Sequence, residues 1–210
     1  ALTVNGQKEK LYQKNDLMGD WAIGGEFALF KIGPTDLDGK ILATYKGYSV
    51  TLSNYTPSVL TFEYKENKHP YTYYIFLEYD NVTKENVIIL SRYTNLLGSY
   101  TVCSKADEMF GTWVSNDGMN VLSFDGVRSG YKQGVAKLEN TFSSTETLYY
   151  YTVKENGIIM WSQGLLQGTT WYFRIDFTEN TDAFNAFVKG DKAFKQVRVD
   201  GLCLTLAKDT

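Results

Sequence analysis

Histidine, cysteine and proline are scarce in this 210-residue chain, which holds one, two and three of them respectively. The single histidine, His69, sits in an Asn67-Lys68-His69-Pro70-Tyr71 stretch with turn chemistry and reads as an exposed turn residue rather than a general base. One histidine and two distant cysteines, Cys103 and Cys203, do not make a zinc set, so no metal is expected. Neither a Gly-x-Ser-x-Gly elbow nor a phosphate-cradling glycine loop is present, and no cofactor is expected. The net charge is −3, with no basic stripe, which argues against nucleic acid as a partner. No apolar run reaches the ~18–20 residues of a membrane-spanning helix. For acid–base work only carboxylates remain, such as Glu63, Glu78 and Asp176 on expected strands. Glu78 and Asp176 occupy matched positions, which favours a shared structural role, so the chain is expected not to be an enzyme.

What the chain has in plenty is aromatic residues: sixteen Tyr, twelve Phe and four Trp. Together with Thr and Val these favour pleated, half-buried surfaces, so a strand-rich fold is expected. The chain opens on Ala1-Leu2-Thr3 with no initiator Met, and it carries two sequons, Asn54-Tyr55-Thr56 and Asn81-Val82-Thr83. With the two cysteines, these features lead us to expect a secreted protein glycosylated at Asn54 and Asn81.

An internal duplication organises the rest. Lys14-Asn15-Asp16-Leu17-Met18-Gly19-Asp20-Trp21 matches Lys105-Ala106-Asp107-Glu108-Met109-Phe110-Gly111-Thr112-Trp113. Three further matches follow in the same order: "EYKEN" (63–67) with "TVKEN" (152–156), "YYIFLEYDN" (73–81) with "WYFRIDFTEN" (171–180), and "VIILSRY" (87–93) with "FKQVRVD" (194–200). The division expected is residues 1–102 and 103–210. Within the first copy, "DWAIGGEFALFKI" reads as an opening strand bent at Gly24-Gly25, followed by "KILATYK", "YSVTLS", "VLTFEY", "YTYYIFLEY" and "NVIILSRY". The second copy repeats the scheme from "GTWVS" to "AFKQVRV". One segment differs: in "NTDAFNAFVKG" (180–190) Phe184, Phe187 and Val188 stand at helical spacing behind Thr181 and ahead of Gly190, which predicts a short helix.

The repeated Gly-x-Trp, at Gly19-Asp20-Trp21 and Gly111-Thr112-Trp113, resembles the lipocalin and wider calycin signature. Glu78-Tyr79-Asp80-Asn81 and Asp176-Phe177 stand where that family has its late-strand Asp-Tyr segment, and Arg92 and Arg198 stand where it has its last-strand arginine. The resemblance implies an all-β chain of two antiparallel up-and-down barrels in tandem, with the short helix near the C-terminus. It also implies that an indole plugs one barrel end beneath a stacked guanidinium. The spacing of 58 residues from Trp21 to Tyr79 is short for the family, so each barrel is short-stranded or incomplete and holds less cavity. Because the first and last strands of a closed barrel pair, Cys103 and Cys203 are expected to form a disulfide within the second copy, two buried free thiols being the alternative.

The resemblance implies a binding protein carrying a small, mainly apolar ligand in a barrel cavity. Candidate lining residues are Tyr73 in the first copy, with Tyr149, Tyr151, Trp161, Trp171 and Phe173 in the second. Plain core packing is the alternative for each of them. Met160, Trp161, Leu165 and Leu166 surround a glycine-bounded turn, which marks either a ligand portal or a protein-binding junction between the copies. The competing function is that of a surface, matrix or assembly component whose filled barrels bind protein or glycan through their outer faces.

Overall fold

The computed structural model describes residues 3–4, 7–8, 14–96, 98–127, 129–154, 157–162, 171–178 and 186–198. The chain divides into two compact units, one of residues 1–107 with 129–132, the other of residues 108–128 with 133–210. A two-residue strand pair, β1 (Thr3–Val4) and β2 (Gln7–Lys8), precedes a 3₁₀ turn over Lys14–Leu17. All the remaining elements among the described residues are β-strands.

The first unit holds β3 (Gly19–Ile23), β4 (Leu29–Thr35), β5 (Ile41–Tyr45), β6 (Tyr48–Thr56), β7 (Val59–Glu66), β8 (His69–Asp80), β9 (Glu85–Ser91) and β10 (Tyr100–Lys105). They form a closed antiparallel barrel in which β10 pairs with both β9 and β3. The expected opening strand is two strands, β3 and β4, separated by a turn at residues 24–28. The division between the units falls after Asp107, not after residue 102, because the first barrel needs β10 to close. Two hairpins set the register. Lys46-Gly47 (φ 51° and 83°) and Asn67-Lys68 (φ 49° and 70°) are two-residue loops with both residues in the left-handed region, the type I′ turn that matches strand twist. Alternate residues then point inward: Phe30, Ile32, Ala43, Tyr45, Val50, Leu52, Leu60, Phe62, Tyr73 and Ile75 are all buried in one cluster.

The second unit holds β11 (Gly111–Ser115), β12 (Asn120–Phe124), β13 (Gly134–Asn140), β14 (Thr145–Lys154), β15 (Gly157–Ser162), β16 (Trp171–Thr178), β17 (Ala186–Lys189) and β18 (Lys192–Arg198). Their order is β11-β12-β13-β14-β15-β16-β18-β17, and β17 meets β11 through only two residue pairs, Val114↔Val188 and Ser115↔Phe187. This is not the up-and-down order expected, since β18 lies between β16 and β17. Nor is the predicted helix present over Ala186–Lys189, which is strand. The remainder of that segment, through residue 185, lies outside the described residues. Phe187 pairs with Ser115 on one side and Phe194 on the other, and Gly190 (φ 62°) turns the chain into β18 instead of capping a helix.

The Gly-x-Trp motif does the same thing in each unit. Trp21 and Trp113 are fully buried, and each indole Nε1 donates to the carbonyl four residues earlier, at 2.8 Å to Leu17 and 3.1 Å to Met109. Gly19 (φ 129°) and Gly111 (φ 101°) bend the chain between that carbonyl and the indole whose N–H it accepts. A lysine stands above each indole; in the first unit it takes the place expected for Arg92, which lies over Tyr71 instead, and the side chain of Arg198 lies outside the described residues. Lys105 Nζ lies 4.8 Å from the Trp21 ring and Lys189 Nζ 4.7 Å from the Trp113 ring. Each ammonium also donates to carbonyls of the preceding turn, Met18 in the first unit and Glu108 and Phe110 in the second.

In the second core, Gly134 lies beneath the Tyr151 ring. A Cβ there would overlap that ring and stand 2.8 Å from the Val127 carbonyl oxygen. The Gly134→Ala variant should therefore lose about 1–3 kcal/mol of stability in denaturant unfolding, since backbone must move to admit one methyl. An unchanged midpoint would contradict this packing.

Candidate functional site

Tyr73, the one candidate ligand residue in the first unit, lies in a packed ring cluster. Its ring stacks on Phe62 with centroids 5.3 Å apart. Tyr45 touches Phe30, Phe62, Tyr64 and Tyr73 at centroid distances between 4.9 and 5.7 Å. These are ordinary edge and tilted ring contacts, and they fill the interior with the barrel's own side chains. Burial, and next the neighbouring Tyr73, push the Tyr45 phenol far above its usual range, so it stays protonated.

A polar lid closes the end of the barrel at which these rings stand. The Tyr73 hydroxyl donates to Glu66 Oε1 at 3.1 Å, and Arg92 Nη2 reaches Glu66 Oε2 at 2.6 Å. Arg92 lies 3.8 Å above the Tyr71 ring, and Lys46 pairs with Glu26. Burial raises the Tyr73 phenol above its ordinary value; the Arg92 hydrogen bond opposes that and the Glu66 bond adds to it. Arg92 is thus committed to this lid, while Arg198 pairs with Phe173 along the backbone, its side chain lying outside the described residues.

The wall beside this core is open. The ladder between β6 and β7 has only three residue pairs, Ser53↔Thr61, Asn54↔Leu60 and Thr56↔Val59, with a register shift between Asn54 and Thr56. Below Ser53 and Thr61 no pair joins the two strands. The hairpin turns tell which backbone groups this releases. A two-residue loop is flanked by a hydrogen-bonded pair, so Tyr48, Val50 and Leu52 bond to β5, while Phe62, Tyr64 and Glu66 bond to β8. The N–H and C=O of Ser49, Thr51, Glu63 and Lys65 consequently face the split.

A cavity of about 850 Å³ lies along this split and over the outer face of the sheet. Its floor reaches the inner-layer residues Val50 and Phe62, and its walls carry Asp20, Lys31, Leu42, Thr51, Thr61, Glu63 and Thr72. Cross-strand pairs arrange them in rows: Asp20 beside Lys31, Lys31 beside Thr44, Thr44 beside Ser49. A second cavity of about 700 Å³ shares Ser49, Val50 and Glu63 with the first and extends to Tyr48, Tyr64 and Asn67. Sequence reasoning placed Glu63 on a strand but did not find the split, because the irregularity after Asn54 leaves no mark in the alternation of apolar residues.

In the second unit, Tyr151 is buried 5.0 Å from Phe124, and Tyr149 is half-buried against the same core. Trp161 pairs with Tyr150, Trp171 with Met160 and Phe173 with Ile158 along the strands. The side chains of Trp161, Trp171 and Phe173 lie outside the described residues, as do Leu165 and Leu166. Cys103 is a free thiol, buried in the first unit's core and opposite Ile23 and Ile88 in the ladders. This corrects its placement in the second copy; Cys203 lies outside the described residues. The sequon residues Asn54 and Asn81 are exposed, and so is His69.

Among the described residues of the first unit, Asp80 of the late-strand segment is the buried acid. It accepts from the amides of Val82 and Thr83, and from Ser129 Oγ and the Gly130 amide in the four-residue segment 129–132. Burial by itself would raise its carboxyl; the bonds from Ser129 and from the Val82, Gly130 and Thr83 amides outweigh this and hold it below the ordinary value. Comparison with protein-family models, with curated proteins and with solved structures gives no match.

A carboxyl depressed on folding contributes stability above its unfolded pKa, and that contribution is lost as pH falls through the folded value. Stability should therefore fall between about pH 5 and pH 2, and Asp80→Asn should flatten part of that fall while costing about 1–3 kcal/mol at pH 7. Thermal melts across that range test this; a variant with the parent's acid dependence would contradict it.

Proposed function

We propose that this chain is a secreted, non-catalytic binding module of two lipocalin-like barrels in tandem, and that it binds its partner on the outer wall of the first barrel. The observation that carries this is the contrast between inside and wall. Phe30, Tyr45, Phe62 and Tyr73 occupy the interior in mutual contact, whereas the β6–β7 split opens a cavity of about 850 Å³, a size in the usual range for ligand sites. An apolar ligand carried inside would have to displace that ring cluster and break the Glu66–Tyr73–Arg92 lid.

The second sheet is read as a second copy of the barrel because its Trp113, Met109 and Lys189 repeat the roles of Trp21, Leu17 and Lys105. Exposure of Asn54 and Asn81 suits glycan acceptors on a secreted protein.

Titration with an environment-sensitive apolar dye, such as an anilinonaphthalene sulfonate, separates wall from interior. Native protein should show no saturable stoichiometric uptake. Tight one-to-one uptake near neutral pH, abolished when Tyr73 is enlarged to Trp, would restore the interior as the ligand site.

A further inference from the structure

We infer that the β6–β7 split is a saccharide site, taking an uncharged oligosaccharide with one sugar ring stacked on Tyr48. This rests on the reading of the outer wall as the binding face and names what binds there. Three observations select this chemistry.

The first is the surface offered. Tyr48 is 65% exposed, and its ring is held by Tyr64 at a centroid distance of 5.8 Å, so one face of a fixed aromatic stands at the rim of the second cavity. Tyr64 is in turn braced edge-on by Tyr45, 4.9 Å away in the core. An aromatic ring anchored in this way suits the flat C–H face of a pyranose.

The second is the polar lining. The N–H and C=O of Ser49, Thr51, Glu63 and Lys65 alternate donors and acceptors along the two sides of the split. A sugar hydroxyl both donates and accepts, so a polyol can satisfy such a mixed edge without a fixed register. The Asp20 and Glu63 carboxylates accept from neighbouring hydroxyls, and the Lys31 ammonium donates. These three groups nearly balance in charge, with a small negative excess that disfavours anions.

The third is what the split lacks. A peptide adding as a strand needs a run of free edge, and here each strand frees the backbone of only two residues before the ladder closes at Ser53↔Thr61. A mainly apolar ligand finds Leu42 exposed, while the other apolar side chains of the lining, Ile32, Ala43, Val50 and Phe62, are buried; the accessible remainder is chiefly hydroxyls and charges. The two cavities lie side by side along the split, sharing the lining residues Ser49, Val50 and Glu63, which offers positions for more than one sugar unit.

The test screens the intact chain against an array of neutral oligosaccharides with gluco-, manno-, galacto- and N-acetylhexosamine linkages, then measures positives by calorimetry. At least one series should bind saturably. Tyr48→Ala and Glu63→Gln should each weaken it by about tenfold, while Tyr48→Trp should retain it. Both mutated side chains are exposed, so circular dichroism should report unchanged folding. Absence of binding across the array overturns the inference, and so does saccharide binding that ignores both substitutions. A peptide or protein ligand blocked by Thr51→Arg would overturn the saccharide but keep the outer wall as the binding face. Saturable uptake of an apolar dye into the interior would remove both.

Discussion

A small eight-stranded barrel has to fill its interior, with its own side chains or with a ligand, and everything else in this molecule follows from how it does so. In the first unit Phe30, Tyr45, Phe62 and Tyr73 meet at ring distances of 5.2–5.7 Å, with Tyr45 in contact with the other three. Rings that size stabilise by burial, about 25 cal/mol per Å² of apolar area, and need no guest. Once the space is taken, the two ends can be sealed by local devices and the wall is left to make a site.

The sealing devices differ from end to end. One end takes an indole whose N–H returns to its own chain and whose face carries an ammonium. The other takes a carboxylate, Glu66, shared by a guanidinium and a phenol. The indole device recurs in both units with the same spacing, Leu17 to Trp21 and Met109 to Trp113, although the two sheets end differently. What is repeated is therefore the opening turn and strand, together with a cation brought by whichever strand pairs with that opening strand: β10 in one unit, β17 in the other.

Much of this was legible in the sequence. Gly-x-Trp marked the true start of each sheet because its glycine must bend the chain and its indole must be buried. Alternation marked β6 and β7 correctly, since each has one wet face. Four things were not legible. The cation on the first indole was expected from Arg92, yet a stacked charge can come from any neighbouring strand, and Lys105 serves as well as an arginine. The segment ending at Lys189 has Phe187 and Val188 adjacent, which fits helical spacing and a strand equally; pairing with β11 and β18 decided it. Cys103 was assigned across a boundary that the closing strand β10 does not respect. The wall split depends on a register shift after Asn54, a property of two strands together that neither shows alone.

Hydrogen–deuterium exchange resolved by residue tests the open wall most directly. Along β6 and β7, the amides of Ser49, Thr51, Glu63 and Lys65 should exchange quickly, while Val50, Leu52, Phe62 and Tyr64 between them stay protected by β5 and β8. Alternation of that kind, confined to the stretch below Ser53 and Thr61, is the signature of two strands that have parted. Uniform protection on both strands would mean that the ladder is complete, that the barrel wall is sealed, and that the binding face has to be sought elsewhere.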